Sequence, residues 1–203
     1  MSEDAETRTF EYLLVLDIPK GAFYSSLLDL KKLVKRKYDC KKAKVTQPHI
    51  TLLVTCLHES REERYIQFLK EISEYITPFD ISPTNCKGYQ SNLVVYVDVK
   101  DKLPIQAIVK RLRGKLNRTL KRYQSFSPRY CSDPHITIAK DMDKADYEMA
   151  LAELKSVDHN FEYFHVGQMI LLKKRLGIFR HEVIGYFEFL GKTEARYVQG
   201  ELF

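Results

Sequence analysis

A chain of 203 residues with 44% hydrophobic content and a formal net charge of +6 is long enough to bury a substantial core and basic enough to attract anions. No apolar run approaches the ~20 residues of a membrane span, no Pro/Gly-rich or low-complexity tract separates independent units, and the acidic start from Met1 to Glu6 is unlike a secretion signal. Membrane and secreted classes are thereby set aside, leaving a compact cytoplasmic protein whose residues 1–203 are expected to form one large domain or two small lobes without a linker.

The first element is an apolar strand of Tyr12, Leu13, Leu14, Val15 and Leu16, followed by Phe23, Leu27, Leu30 and Val34 at helical spacing. Between residues 31 and 44, Lys31, Lys32, Lys35, Arg36, Lys37, Lys41, Lys42 and Lys44 face a single acid, Asp39. Next comes Pro48-His49-Ile50-Thr51, with Leu52 behind it. Proline is tolerated at the first residue of a strand, so Pro48 marks a strand entrance with His49 near its mouth. Side chains alternate along a strand, which sends His49 and Thr51 to the same face.

Tyr65, Leu69, Ile72 and Ile76 predict a helix after this motif; a strand from Leu93 to Val97 and a helical stripe of Ile105, Ile108, Val109, Leu112 and Leu116 come next. Residues 102–132 contain Lys102, Lys110, Arg111, Arg113, Lys115, Arg118, Lys121, Arg122 and Arg129 without one Asp or Glu. That arm leads into a second copy of the motif, Pro134-His135-Ile136-Thr137, with Ile138 behind it. Tyr147, Leu151 and Leu154 predict one more helix. Residues 161–172 and 181–190 alternate as strands around a loop containing Arg175, Gly177 and Arg180.

The two motifs are too far apart for one hairpin, and each is preceded by a strand and a helix. Each half thus reads strand, helix, then a strand opening with Pro-His-Ile-Thr. A lone His-x-Thr in a strand is ordinarily a polar pair satisfied by its neighbours; duplication in matching contexts points to function. Two imidazoles and two hydroxyls converging on a phosphate are the parts that acid–base cleavage of a phosphodiester needs. Histidine's ordinary pKa of about 6.5 makes both its forms available near neutrality. The other histidines, His58, His159, His165 and His181, lack this context and read as surface or structural. Cys40, Cys56, Cys86 and Cys131 are scattered, without Cys-x-x-Cys or a Cys/His cluster, and read as structural thiols rather than a zinc site.

The paired His-x-Thr motifs, their order and the elements before them resemble the two-histidine (2H) phosphoesterases, particularly the LigT-like or 2'-5' RNA ligase-like branch. The likeness covers most of the chain, from Leu13 to Pro19 through the run from Phe126 to Lys140. It implies an α+β, bilobal, pseudo-twofold fold with antiparallel sheets flanked by helices around a central groove. It also implies that His49 and His135 are the catalytic pair, that Thr51 and Thr137 hold phosphate oxygens, and that neither metal nor cofactor is used. Where the family often carries an arginine this chain has Lys140, a point charge without the bidentate fork. Simple alternation turns Lys140 away from the face of His135 unless a strand end or bulge brings it round. The first motif also lacks the phenylalanine-leucine-glycine ending common in ligase-like members.

The expected substrate is RNA, an oligonucleotide or a nucleotide carrying a 2',3'-cyclic phosphate or a 2'-5' linkage, with reversible 2'-5' ligation as the companion reaction. Two alternatives stand beside it: hydrolysis of a small cyclic or 2'-5'-linked nucleotide signal, and a non-catalytic RNA-binding module. Lys140, Arg129 and Tyr130 are the candidate substrate contacts, Tyr130 as a stacking platform for a base. The basic arms suit a polyanion groove, although solvated helix faces explain such runs equally well. A monomer is expected.

Overall fold

A computed structural model describes residues 8–38, 40, 47–123, 126–157, 159–178 and 180–193. Strands β1 (Thr9–Asp17) and β2 (His49–His58) flank helix α1 (Ala22–Lys37), and α2 (Glu62–Ser73), β3 (Phe79–Ile81) and β4 (Pro83–Tyr89) complete the first half. The second half repeats that order with β5 (Val94–Val99), α3 (Leu103–Leu120), the two-residue β6 (Arg129–Tyr130), β7 (His135–Ala139), α4 (Lys144–Ser156), β8 (Phe164–Val166) and β9 (Gln168–Arg175). β10 (Glu182–Glu188) is added at the end.

The main sheet runs β10-β9-β1-β2-β7-β5-β4, with β6 on β2, and every pairing is antiparallel. An axis between β2 and β7 exchanges β1 with β5 and β9 with β4, while β3 and β8, the corresponding short strands, pair with each other. Helices cover one face. α2 packs on β10 and α3 on β2, whereas α4 packs on β4 and β5 and α1 crosses to pack on β7. Each lobe is therefore backed by one helix from each half of the chain, as the α+β pseudo-twofold expectation requires.

The predicted strands and helices are all present. The 161–172 strand is broken at Gly167 into β8 and β9. β3 and β4 escaped the sequence reading because Pro83 opens β4 and its residues alternate weakly. Gly88 on β4 sits where an added Cβ would collide with Tyr147 Oη on α4, so helix and strand approach closely only without a side chain there. Asp143 caps α4 by accepting the Asp146 N–H at 2.8 Å, and Lys35, Arg36 and Lys37 crowd the last turn of α1, where the helix dipole favours cations. Part of the first basic run is thus a helix terminus; Lys41, Lys42 and Lys44 lie outside the described residues. No helix among the described residues is long and apolar enough to cross a membrane.

Strands β2 and β7 meet at the backbone pair Ile50 opposite Ile136. Both side chains are fully buried on the helix-covered face. Truncating either to alanine should cost about 2–5 kcal/mol, the usual loss for a buried isoleucine. Chemical denaturation would measure this, and a loss below about 1 kcal/mol would show that the junction contributes little to the core.

Candidate functional site

The junction register decides which side chains meet. With Ile50 opposite Ile136 in an antiparallel pair, one step either way puts His49 level with Thr137 and Thr51 level with His135. All four lie on the face opposite the helices and are half-buried. Asp17 and Val15 flank His49 and Thr51 on β1, and Asp98 and Tyr96 flank His135 and Thr137 on β5.

Both histidines are oriented by the same local device. The Nδ1–H of His49 donates to the Gln47 carbonyl at 2.8 Å, and that of His135 to the Asp133 carbonyl at 2.7 Å. A carbonyl only accepts, so each neutral ring carries its proton on Nδ1 and keeps the Nε2 lone pair for a substrate.

Behind each motif the strand register slips by one residue. The slip falls at Leu52 against β1 and at Ile138 against β5. After the second bulge Ala139 pairs with Val95 on the covered face, so the next residue, Lys140, turns to the face of His135. On the first strand the corresponding position is Val54, and Arg129 on β6 stands opposite it. Lys140 and Arg129 thus join the histidine face.

Tyr130 does not, which corrects its assignment as a stacking platform. It pairs with the buried Leu53, so it faces the helices; its hydroxyl donates to Asn117 Oδ1 at 2.9 Å and Arg113 lies 5.1 Å from its ring centre. Most of the second basic arm belongs to α3 and shares that covered side. Tyr38 is buried and donates to Glu153, so it too is a packing residue.

The surroundings of the two histidines differ. Tyr89 and Tyr96 stack at 4.5 Å, and the His135 ring packs against both, at 5.3 and 4.9 Å. Tyr89 and Lys102 donate to the Asp133 carboxylate, Lys102 also reaches Asp98 at 2.6 Å, and Lys87 reaches Asp98 at 2.6 Å. Burial opposes ionisation of Asp98, but hydrogen bonds from Lys102, Lys87 and the Val99 N–H outweigh it and hold the carboxyl below its ordinary range. This network fixes the loop that carries the His135 acceptor.

Around His49 the described residues bring together cations instead. Burial pushes its pKa down to about 4, against the opposing pull of the Gln47 carbonyl, and the charges of Lys31, His181 and Lys140 lower it further. Lys31, only 6% exposed on α1, is itself lowered to about 8 by burial and by Lys140. His181, read from sequence as surface or structural, has a buried Nε2 without a hydrogen bond, 3.8 Å from Glu11 Oε1. Lys31 belongs to the first basic run, but no sequence signal set it apart from its neighbours or marked His181, since only the fold brings the two near His49. The acid that precedes Pro134, where the first motif has Gln47, was the legible hint of the His135 network.

His58 and His159 make local bonds, to Ser60 and the Leu154 carbonyl, and His165 bonds across the β3–β8 pair to Asp80. Among the described residues no three His, Cys, Asp or Glu side chains are grouped to hold a metal ion. A hollow of about 360 Å³, walled by Val54, Cys56, Ser127 and Arg129, extends the histidine face along β2.

Comparison with known proteins gives the family and the fold. The family described as the 2'-5' RNA ligase superfamily matches residues 25–177. E. coli LigT complexed with 3'-AMP is similar in structure at a TM-score of 0.60 and 14% identity, over 89% of this chain and 98% of that one. TT0787 of Thermus thermophilus gives 0.62 and 13%, over 90% and 100%. Usb1 of Kluyveromyces marxianus gives 0.55 and 11%, over 91% and 99%. At these identities the likeness is one of fold. No curated protein matches the chain.

The His49 environment sets a pH dependence of stability. The unfolded chain takes up the imidazole proton near pH ~6.5, and the folded protein only near 4. Between those values the unfolded state holds more protons, so stability falls as pH drops through the window. Thermal melts between about pH 7 and about pH 4 should show a smaller loss for His49→Gln than for wild type. Equal losses would mean that His49 carries no such penalty.

Proposed function

Because the chain belongs to the 2'-5' RNA ligase superfamily, we propose that it is a metal-independent phosphodiesterase acting on RNA or nucleotides with a 2',3'-cyclic phosphate or a 2'-5' linkage. The observation that carries this reading is the register at Ile50 and Ile136, which sets two His/Thr pairs side by side with both Nε2 atoms left for one substrate. That E. coli LigT is known in complex with 3'-AMP agrees with a nucleotide ligand.

His49 is the base and His135 the acid. Burial and the neighbouring cations keep His49 neutral at physiological pH, ready to accept a proton. The complementary role falls to His135. With water as nucleophile, His49 takes its proton as the oxygen attacks phosphorus, the bond to the 2' or 3' oxygen breaks, and His135 protonates that oxygen. The product is a phosphomonoester. With a ribose hydroxyl as nucleophile the same steps give transesterification, whose reverse sense is 2'-5' ligation. Thr51 and Thr137 donate to the non-bridging oxygens, while Lys140 and Arg129 supply positive charge at the groove.

His49→Ala and His135→Ala should each abolish hydrolysis of a 2',3'-cyclic nucleotide while the protein stays folded. Thr51→Val or Thr137→Val should cost about 10²–10³ in rate. A nucleoside aryl phosphodiester, whose leaving group needs no proton, tests the role assignment. Turnover should return in His135→Ala and stay low in His49→Ala; the opposite pattern would exchange the two roles. Full activity of wild type should survive exhaustive chelation, and a loss reversed by added divalent metal would sink the mechanism.

A further inference from the structure

β2 continues past Thr51 through Val54 and Cys56 to His58, and a 3-10 turn, Glu59–Arg61, follows it directly. The 360 Å³ hollow with Arg129 on its wall lies beside this stretch. At the far end guanidinium groups converge on one ring. Arg61 Cζ lies 4.2 Å and Arg122 Cζ 5.2 Å from the Tyr123 ring centre, and Arg122 Nη2 donates to Tyr123 Oη at 3.1 Å. The phenol pKa is lowered by that hydrogen bond first, and then by the charges of Arg122, Arg61 and Arg64.

Among the described residues no carboxylate pairs with these three arginines. Two acids close to Arg61 in sequence are engaged elsewhere: Glu62 accepts from Tyr12 at 2.8 Å and from Lys173 at 2.5 Å, and Glu59 lies 3.7 Å from Lys173. Like charges held together repel unless an anion joins them. Arg61 sits over the face of Tyr123, a contact that leaves its N–H donors for the fork that phosphate oxygens match. From His49 to His58 an extended strand covers roughly 30 Å, a span that a mononucleotide cannot bridge.

We propose that Arg61, Arg64, Arg122 and Tyr123 form a remote contact for the phosphate backbone of a single-stranded RNA whose reacting end lies between His49 and His135, with Arg129 on the path between. The inference rests on the groove being an RNA phosphodiesterase site, and it makes chain length a determinant of affinity.

The test measures binding separately from turnover. Anisotropy of a fluorescent 12-mer oligoribonucleotide would be followed against salt for wild type and for Arg61→Ala/Arg64→Ala/Arg122→Ala, with thermal melts to verify folding. The triple variant should bind roughly 10- to 100-fold more weakly and lose about 2 from its log–log salt slope. Its hydrolysis of a 2',3'-cyclic mononucleotide should equal that of wild type. The Arg→Lys triple variant should keep most of the slope, and Lys110→Glu/Arg118→Glu, on the exposed back of α3, should leave binding near wild type. Unchanged 12-mer binding in the triple alanine variant overturns the contact even if the mononucleotide is cleaved. Equal damage from the α3 reversals overturns it too, by showing that charge anywhere suffices. Weakened binding in a protein that cleaves no phosphodiester keeps the contact and removes the activity.

Discussion

One antiparallel pair, Ile50 against Ile136, is the constraint on which the site depends. Side-chain direction in a strand has a period of two, so a one-residue slip at this pair would turn one strand over, sending its histidine into the covered core and exposing its isoleucine. Full burial of Ile50 and Ile136 under the helices penalises that slip strongly. The bulges at Leu52 and Ile138 then end the shared register on both sides and turn Lys140 and Val54 outward. A short, strongly specified junction flanked by two bulges gives the groove its floor.

The backbone symmetry of that floor is not matched by its side chains. Both imidazoles donate from Nδ1 to the carbonyl two residues upstream, so the duplicated motif repeats even its hydrogen bond. Beyond that bond the halves diverge. Asp133 bonds to Tyr89 and Lys102, and Asp98 to Lys102 and Lys87, which balances charge beside His135. Lys31, Lys140 and His181 gather beside His49 and oppose its protonation. The duplicated motif therefore holds its two imidazoles in unlike electrostatic surroundings.

Net charge is a poor map of which cations share the histidine face. Lys35, Arg36 and Lys37 complement the end of a helix, and Lys115 pairs with Glu71 at 2.6 Å. Most of the arm on α3 faces away from the groove because α3 covers the back of β2. The cations beside the histidines or on their face are fewer, and they come from separated parts of the chain: Lys31 and Lys140 beside His49, and Arg129 along β2.

Much of this was legible in the sequence, because strand and helix periodicities are local and a repeated tetrapeptide needs no fold to be seen. The four His-x-Thr residues, the α+β class and the repeated strand, helix, strand order belong to that category. β3 and β4 were hidden by proline and polar residues in short strands, where local preference is weak and pairing decides. The face chosen by Lys140 depended on a bulge, and the face chosen by Tyr130 on its pairing with Leu53. The sequence by itself determined which chemistry-bearing groups exist and which of them share a strand face. Only the tertiary structure decided which groups from different elements meet, and therefore which histidine lies among cations, because long-range register and electrostatic neighbours are set by packing.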